Sequence, residues 1–263
     1  MPKLFPIQIH QFIQANLGEN DVIESISETQ FLLPSKNIEI TLKSYSKTLV
    51  QTELLPSKLG NWKKIKISED QWFSRNKHVK SRLTSLLGLN QTVAARLCKI
   101  EVLDKEITDN FFEENHVQGS CKYAHKLGLS LNGELLAAIA FSKSRVMVDG
   151  SAYYRSYELI RFSNKNGITV TGGLSKLLKA FIKEKHVQHL MTYIDLDFGD
   201  GQGFLSNGFI ELNQTPPISF WVDPKIHHRY SEKEIEKLGL DKELLLKFEN
   251  SGNRKLVYKN NLD

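Results

Sequence analysis

Two adjacent glycines, Gly172 and Gly173, stand between a short β-branched run and a stretch with Leu177, Leu178, Phe181 and Ile182 on one helical stripe. This pair constrains the chain more than any other feature, because a strand must end there, the backbone must turn, and an amphipathic helix must begin. Free N–H groups and the helix dipole at such a junction favour an anion, and glycine lets a ligand approach the main chain. A phosphate or pyrophosphate is the natural candidate, with Thr171, Gly172, Gly173, Ser175 and Lys176 as its cradle. The spacings of a Walker loop and of a dinucleotide-binding fingerprint are both absent. The competing reading is a plain tight turn with Ser175 as N-cap.

Around this turn the pattern predicts strands at Lys126–Leu131 and Leu135–Phe141, joined by the Asn132-Gly133 hairpin turn, then a strand at Ser156–Phe162. The helix is expected over Ser175–Lys185 and a further strand over Leu190–Leu196. Upstream, Ala94–Val102 reads as a strand and Asp104–Asn115 as a short helix. The first hundred residues read as a small α/β unit, with a helix near Phe5–Ala15, strands at FLLP, NIEITL and Lys63–Ile67, and a basic amphipathic helix over Lys77–Leu87 stopped by Gly88. A charged helix over Ser231–Glu249 and a strand over Lys255–Tyr258 follow at the end. The fold class is α/β (α+β), a mixed layer architecture.

With 263 residues, 40% hydrophobic and 25% charged, the chain has a core worth burying, which excludes intrinsic disorder and leaves room for two modest domains. No apolar run is long enough to cross a bilayer and no secretory leader is legible, so the expectation is a cytoplasmic protein without a membrane partner. Two cysteines, Cys98 and Cys121, are too few for a disulfide scaffold or a four-cysteine zinc site. Charge is segregated. Between Asn61 and Ile100 nine basic residues stand against two acidic ones, an excess larger than the +5 of the whole chain. Lys63, Lys64, Arg75, Lys77, Lys80 and Arg82, interleaved with Trp62, Trp72 and Phe73, make a DNA- or RNA-facing surface one reading. A solvated helix face over buried aromatics is the other.

Asn115, His116, Gln118 and Arg145 fall on segments that the element order makes neighbours. An arginine grips a phosphate or carboxylate, and His116 beside Glu158 would relay a proton near neutral pH. The alternative is a hydrogen-bond network that fixes the helix-to-strand junction. Period-two alternation sends Tyr157, Leu159 and Arg161 to one face and Glu158, Ile160 and Phe162 to the other. Glu158 is then surrounded by apolar residues, where burial would suit it to deprotonating an amine; an ion pair with Arg145 or Arg161 is the competing account. Tyr193 and Asp195 share a face of the next strand, and Asp195 and Asp197 either bind a substrate amine or begin a loop. His116, Cys121 and His125 match no common zinc spacing, so no metal is expected.

The order of three antiparallel strands, a glycine turn into a helix, a further strand, and a segment ending Asn207-Gly208-Phe209 resembles the GNAT fold of acetyl-coenzyme A-dependent N-acyltransferases. That resemblance implies acetyl-CoA or another acyl-CoA as cofactor, its pyrophosphate held at the turn Thr169-Val-Thr-Gly-Gly-Leu174. Two departures stand out: Leu174 occupies a position where the family carries a small residue, and Phe204 one where it often carries a tyrosine that protonates the leaving thiolate. Tyr193 or a water is the expected substitute. Phe112-Glu-Glu-Asn-His-Val-Gln-Gly119, Phe141-Ser-Lys-Ser-Arg145, Tyr157-Glu-Leu-Ile-Arg-Phe162, Thr171-Gly-Gly-Leu-Ser-Lys-Leu-Leu178 and Tyr193-Ile-Asp195 look more narrowly like a GNAT-like module of phage and mobile-element proteins, akin to Mom-type DNA-modification enzymes. Such modules are often joined to a nuclease-like domain of the very-short-patch-repair and homing type, with a PD-(D/E)XK fold. Glu28-Thr-Gln-Phe-Leu-Leu-Pro34 and Lys36-Asn-Ile-Glu-Ile-Thr-Leu42 resemble its metal-binding phrases, with Gln30 and Thr41 where carboxylates for Mg²⁺ would stand and Glu39 as a substitute ligand.

The resulting expectation is a degenerate nuclease-like domain over 1–92, a GNAT-like domain over 93–225, and a C-terminal helix and strand extension over 226–263. Its function would be acyl transfer to a nucleic-acid-associated or small amine. Glu158, Tyr193 and His116 are the candidate catalytic residues, and Asn115, Gln118, Arg145, Arg161 and Asp195 the candidate substrate-binding ones. The alternative is a non-catalytic DNA- or RNA-binding protein. Oligomeric state is left open.

Overall fold

The computed structural model describes residues 4–45, 62–149 and 152–260; Asn61, where the basic stretch begins, lies outside them. In chain order the elements are α1 (Leu4–Gln14), β1 (Glu24–Ser27), β2 (Gln30–Leu33), β3 (Ile38–Lys43), β4 (Lys63–Ser68), α2 (Glu69–Ser74) and α3 (Asn76–Leu87). Then come β5 (Gln91–Ala94), β6 (Lys99–Val102), α4 (Lys105–Asn115), β7 (His125–Leu131), β8 (Glu134–Phe141), β9 (Arg145–Asp149), β10 (Ala152–Asn164), β11 (Ile168–Thr171) and α5 (Gly173–Lys185). The chain continues through β12 (His189–Asp195), α6 (Gln202–Leu205), β13 (Ile210–Gln214), β14 (Ser219–Val222), β15 (Arg229–Tyr230), α7 (Glu232–Leu238), β16 (Leu246–Glu249) and β17 (Asn253–Lys259). This is the mixed α/β architecture expected.

Three expected elements are corrected. The strand over Ala94–Val102 is two strands interrupted by a 3₁₀ turn at Ala95–Leu97. The helix over Ser231–Glu249 stops at Leu238, because Gly239 adopts φ +62° and caps it, after which the chain re-extends as β16. The strand at Ser156–Phe162 is the middle of a longer one whose first half forms a hairpin with β9.

The chain divides into two compact units, one of Met1–Leu83, Asp195–Asp200 and Thr215–Asn253, the other of Thr84–Ile194, Gly201–Gln214 and Arg254–Asp263. They are not the three consecutive segments expected. β13 and β17 pair antiparallel in one sheet, Ile210 opposite Val257, although a long excursion separates them in sequence. That excursion, β14 to β16, belongs to the first unit, so 226–263 is no separate extension and 93–225 ends inside the other unit.

In the first unit a four-stranded sheet runs β1-β2-β3-β4, antiparallel except between β3 and β4. Ile38, Ile40 and Leu42 are buried on one face of β3, while Glu39 and Thr41 are buried on the other. Helix α1 buries Phe5, Ile9 and Ile13 at helical spacing, and His10 meets the ring of Phe31 edge-on at 5.6 Å. A smaller sheet, β15-β14-β16, completes this unit. Arg229 holds that sheet to α2: its guanidinium donates to both carboxylate oxygens of Asp70 at 2.7 and 2.9 Å and lies over the rings of Phe220 and Phe248, 4.9 and 4.8 Å from their centroids.

In the second unit eight strands form one sheet in the order β13-β17-β12-β10-β8-β7-β6, with β9 added to β10. The β7–β8 hairpin turns at Asn132 (φ +53°) and Gly133 (φ +83°), the two left-handed residues that a tight two-residue hairpin needs. Helix α5 packs Leu177, Leu178 and Phe181 into the main core, where the Phe181 ring stacks on Phe141 with centroids 3.6 Å apart. Each such fully buried side chain contributes about 1.5–3 kcal/mol. Helix α4 covers the opposite face with Phe111 and Phe112 against Ala138 and Ala140.

Candidate active site

The glycine turn lies where the sequence places it, between β11 and α5. Gly172 is at φ +78° and a Cβ there would meet only the Ala95 Cβ, at 3.8 Å, so the turn is open on that side. Gly173 has a different reason to be glycine, since its Cβ would press on Val170 at 3.2 Å. No side chain caps α5, and the first-turn N–H groups of a helix have no partner within it. Leu174 is half-buried, packed against the main core and lying 3.6 Å from where a Gly203 Cβ would be. Its bulk is therefore turned inward. Thr171 is exposed and Ser175 half-buried beside the turn. Lys176 corrects the expectation: its ammonium donates to the carbonyls of Ala95, at 2.9 Å, and of Cys98. It fastens the 3₁₀ turn to α5 and does not reach outward as a phosphate ligand.

Glu158 lies on β10, beside Met191 of β12 in a short parallel pairing that runs from Ser156–His189 to Leu159–Thr192. β10 goes on to Asn164 and β12 to Asp195. Between Leu159 and Arg161 the register against β8 slips, making Ile160 a bulge. A bulge reverses which face later residues present. Accordingly Phe162 joins Tyr157 and Leu159 on the α5 side, while Arg161 and Ser163 lie on the Glu158 side. Strict alternation was the wrong expectation here. Glu158 is not sunk among apolar side chains either. Its carboxylate is partly exposed, 3.4 Å from Arg145 Nη2, and its backbone N–H donates to Ser142 Oγ at 2.9 Å.

Arg161 donates from Nε to the Gly119 carbonyl and from Nη1 to that of Ile160. Burial pushes the nearby Cys121 thiol up, which disfavours a nucleophilic thiolate. Asn115 acts structurally: its side chain donates to Phe111 O and accepts from Asn166 N–H, tying the end of α4 to the turn after β10. His116 Nδ1 accepts from the Gln118 backbone N–H at 3.2 Å, and Gln118 itself is exposed. Asp195 Oδ1 accepts from the Asp197 N–H, so it begins a loop, and burial pushes its carboxyl up. Tyr193 is 42% exposed, with Lys255 Nζ 5.9 Å from its ring. Among the described residues no group of three or more His, Cys, Asp or Glu is placed to hold a metal.

In the first unit Gln30 and Thr41 are register partners, and Gln30 Nε2 donates to Glu39 Oε1 at 2.8 Å. The aromatics expected to face nucleic acid do not form an open platform. Trp72 is buried and donates to Gln8, and Phe73 stacks on His227 at 4.5 Å. Lys80 lies over Phe12 and Trp72, Arg82 donates to Phe198 O, and Arg75 is half-buried. Lys63, Lys64 and Lys77 are exposed. Sequence reasoning missed the Ala95–Leu97 turn beside Gly172 and the approach of Lys255 to Tyr193. Both are contacts between residues far apart in sequence, and neither leaves a local pattern.

No protein-family profile matches the sequence, and no curated protein matches it. Solved structures similar to it include acetyltransferases of the GNAT family. The ribosomal-protein-S18-alanine N-acetyltransferase from Escherichia coli is 12% identical over 62% of this chain and 93% of that one, with a TM-score of 0.41. A GNAT family acetyltransferase from Elizabethkingia anophelis with acetyl-CoA bound is 12% identical over 62% and 99%, with a TM-score of 0.35. A Bacillus subtilis acetyltransferase in complex with CoA is 13% identical over 62% and 99%, with a TM-score of 0.36. Among the described residues no helix is long and apolar enough to cross a membrane.

Proposed function

We propose that the second unit is an acyl-coenzyme A-dependent N-acyltransferase of GNAT type, acting on a nucleic-acid-associated amine. The observation that carries this is the glycine turn at the N-terminus of α5: Gly172 is open, Leu174 is turned into the core, and the turn follows antiparallel strands β7, β8 and β10 and precedes parallel strand β12. This is the element order that the sequence resemblance implies. The residues present fit a diphosphate. The N–H groups of Gly173, Leu174 and Ser175 would bind it.

When bound, the coenzyme supplies an activated thioester carbonyl for attack by an amine. Glu158 Oε would take the proton that the acceptor nitrogen gives up as the amide bond forms, and the Arg145 guanidinium would hold both Glu158 and the acceptor. The thioester C–S bond would break in turn, and Tyr193 or water would give the departing coenzyme thiolate its proton, so that it leaves as a thiol. Ser142 Oγ, accepting from the Glu158 N–H, fixes the backbone at that point of β10. For the first unit our reading is a binding body without cleavage chemistry, since Gln30 and Thr41 flank a single carboxylate, Glu39. Isothermal titration of the full chain with acetyl-CoA tests the proposal: micromolar binding that is lost in Gly172→Val supports it, and absence of binding at millimolar coenzyme overturns it.

A further inference from the structure

Register and contacts define which side chains share the sheet face opposite α5 in the second unit. Ser156 pairs with His189 and Glu158 with Met191, so the even residues of β10 and the odd residues of β12 lie together. On β17, Leu256 and Tyr258 belong to the α5 side. Lys255 approaches Tyr193, and Lys259 follows it at the same alternation along β17, so both lie on the opposite face. On β9, Arg145 pairs with Ser156 and its side chain is 63% exposed. Around the middle strands this face therefore carries Arg145, Lys255 and Lys259 as cations, Tyr193 as an exposed ring and the Glu158 carboxylate between them, with Glu101 on the same face at the far β6 edge.

We propose that this face binds a single-stranded polynucleotide, with an unpaired base stacked on Tyr193 and backbone phosphates on Arg145, Lys255 and Lys259. The reasoning is chemical. Three cations on β9 and β17, with the Glu158 carboxylate between them already ion-paired, suit a ligand with repeated negative charge. An exposed tyrosine among them gives an aromatic surface for any base. A duplex keeps its bases stacked on one another, and a run of acidic residues alone carries no ring to place on Tyr193, so a single strand fits better than either. The inference rests on the proposed acyltransferase reading only for the idea that an acceptor nitrogen is brought to Glu158; the binding itself needs no coenzyme.

The test is fluorescence anisotropy of the full chain, without coenzyme, against a labelled mixed-sequence single-stranded oligonucleotide, its duplex, and an oligoglutamate competitor. The single strand is expected to bind more tightly than the duplex, with log K falling against log salt at a slope of about −2 for three phosphate contacts. Tyr193→Ala is expected to weaken binding by about tenfold and Tyr193→Phe to restore it, since stacking needs the ring and not the hydroxyl. Lys255→Glu with Lys259→Glu is expected to flatten the salt dependence. Equal affinity for duplex, displacement by oligoglutamate at equal charge, or unchanged binding in Tyr193→Ala would each overturn the proposal. Loss of binding only in Lys63→Glu with Lys64→Glu would overturn it too, by moving the site to the first unit. Calorimetry with acetyl-CoA is read separately, so failure of one proposal does not pass for failure of the other.

Discussion

Arg145 Nη2 lies 3.4 Å from Glu158 Oε2, joining the start of β9 to the middle of β10. The pair is half open to solvent, so it contributes little to stability, at most about 1 kcal/mol. Its value under the proposed function is position: it holds a carboxylate on an accessible face. Glu158→Gln is expected to lower kcat by about 10²–10⁴ while leaving acetyl-CoA affinity unchanged. Arg145→Met is expected to act mainly through the acceptor KM. Steady-state acetyl transfer and calorimetry separate the two, and a fully active Glu158→Gln enzyme would remove the assigned base.

Gly172→Val probes the cradle. At φ +78° a β-branched residue is strained by roughly 1–2 kcal/mol, and its side chain would stand over the amides. Coenzyme affinity is expected to fall more than tenfold, with a modest drop in melting temperature. Lys176→Met should do the reverse, destabilising by about 1–3 kcal/mol because two carbonyls lose their donor. Its coenzyme affinity should be little changed. Tight binding by Gly172→Val would contradict the cradle.

Asp70 is almost wholly buried, and Arg229 is the cation it faces. Removing one partner of such a pair strands the other charge, at a cost of about 3–5 kcal/mol. Arg229→Ala is expected to destabilise the first unit by that amount in urea unfolding followed by circular dichroism. Arg229→Lys should recover only part, since an ammonium cannot reproduce the two-pronged bond or the planar cation over Phe220 and Phe248.

His189 and His125 are both held below the usual imidazole value, chiefly by burial, with Lys259 and Lys255 acting on the first and Lys185 on the second. A histidine with a lowered folded pKa binds fewer protons in the folded than in the unfolded chain. Stability is thus full above pH 6.5 and lost as pH falls toward the folded values. Ser156 Oγ lies 2.8 Å from His189 Nδ1. Denaturation curves at pH 7.5 and 5.5 should show the second unit weaker at the lower pH, with the difference reduced in His189→Gln. An unchanged difference would exclude His189 as its source.

Asp109 is held at about 2 by hydrogen bonds from Lys105, Ser120 and Tyr123. The ionised carboxylate ties α4 to the loop after it, and that contribution, complete above pH 3.8, disappears as pH falls through about 2. Tyr123→Phe removes one donor, so NMR titration should find the Asp109 pKa raised. No movement would mean that Lys105 and Ser120 suffice.

The elements with their own local signals were legible in the sequence. The Asn132-Gly133 hairpin, the stop at Gly88, the Leu177–Leu178–Phe181 stripe and the turn at Gly172 all follow from periodicity and backbone preference, which neighbouring residues carry. What depended on partners distant along the chain was not legible. The bulge at Ile160 that moves Arg161 to the Glu158 side arises from pairing with β8, and the diversion of Lys176 to Ala95 arises from a turn 81 positions away. Residues Thr215–Asn253 fold with the first unit, although they come between the last two paired strands of the second. Local sequence sets which conformations each segment prefers; long-range burial and hydrogen bonding decide which segments meet, and here that choice determines both the unit boundaries and the faces on which the candidate site residues lie.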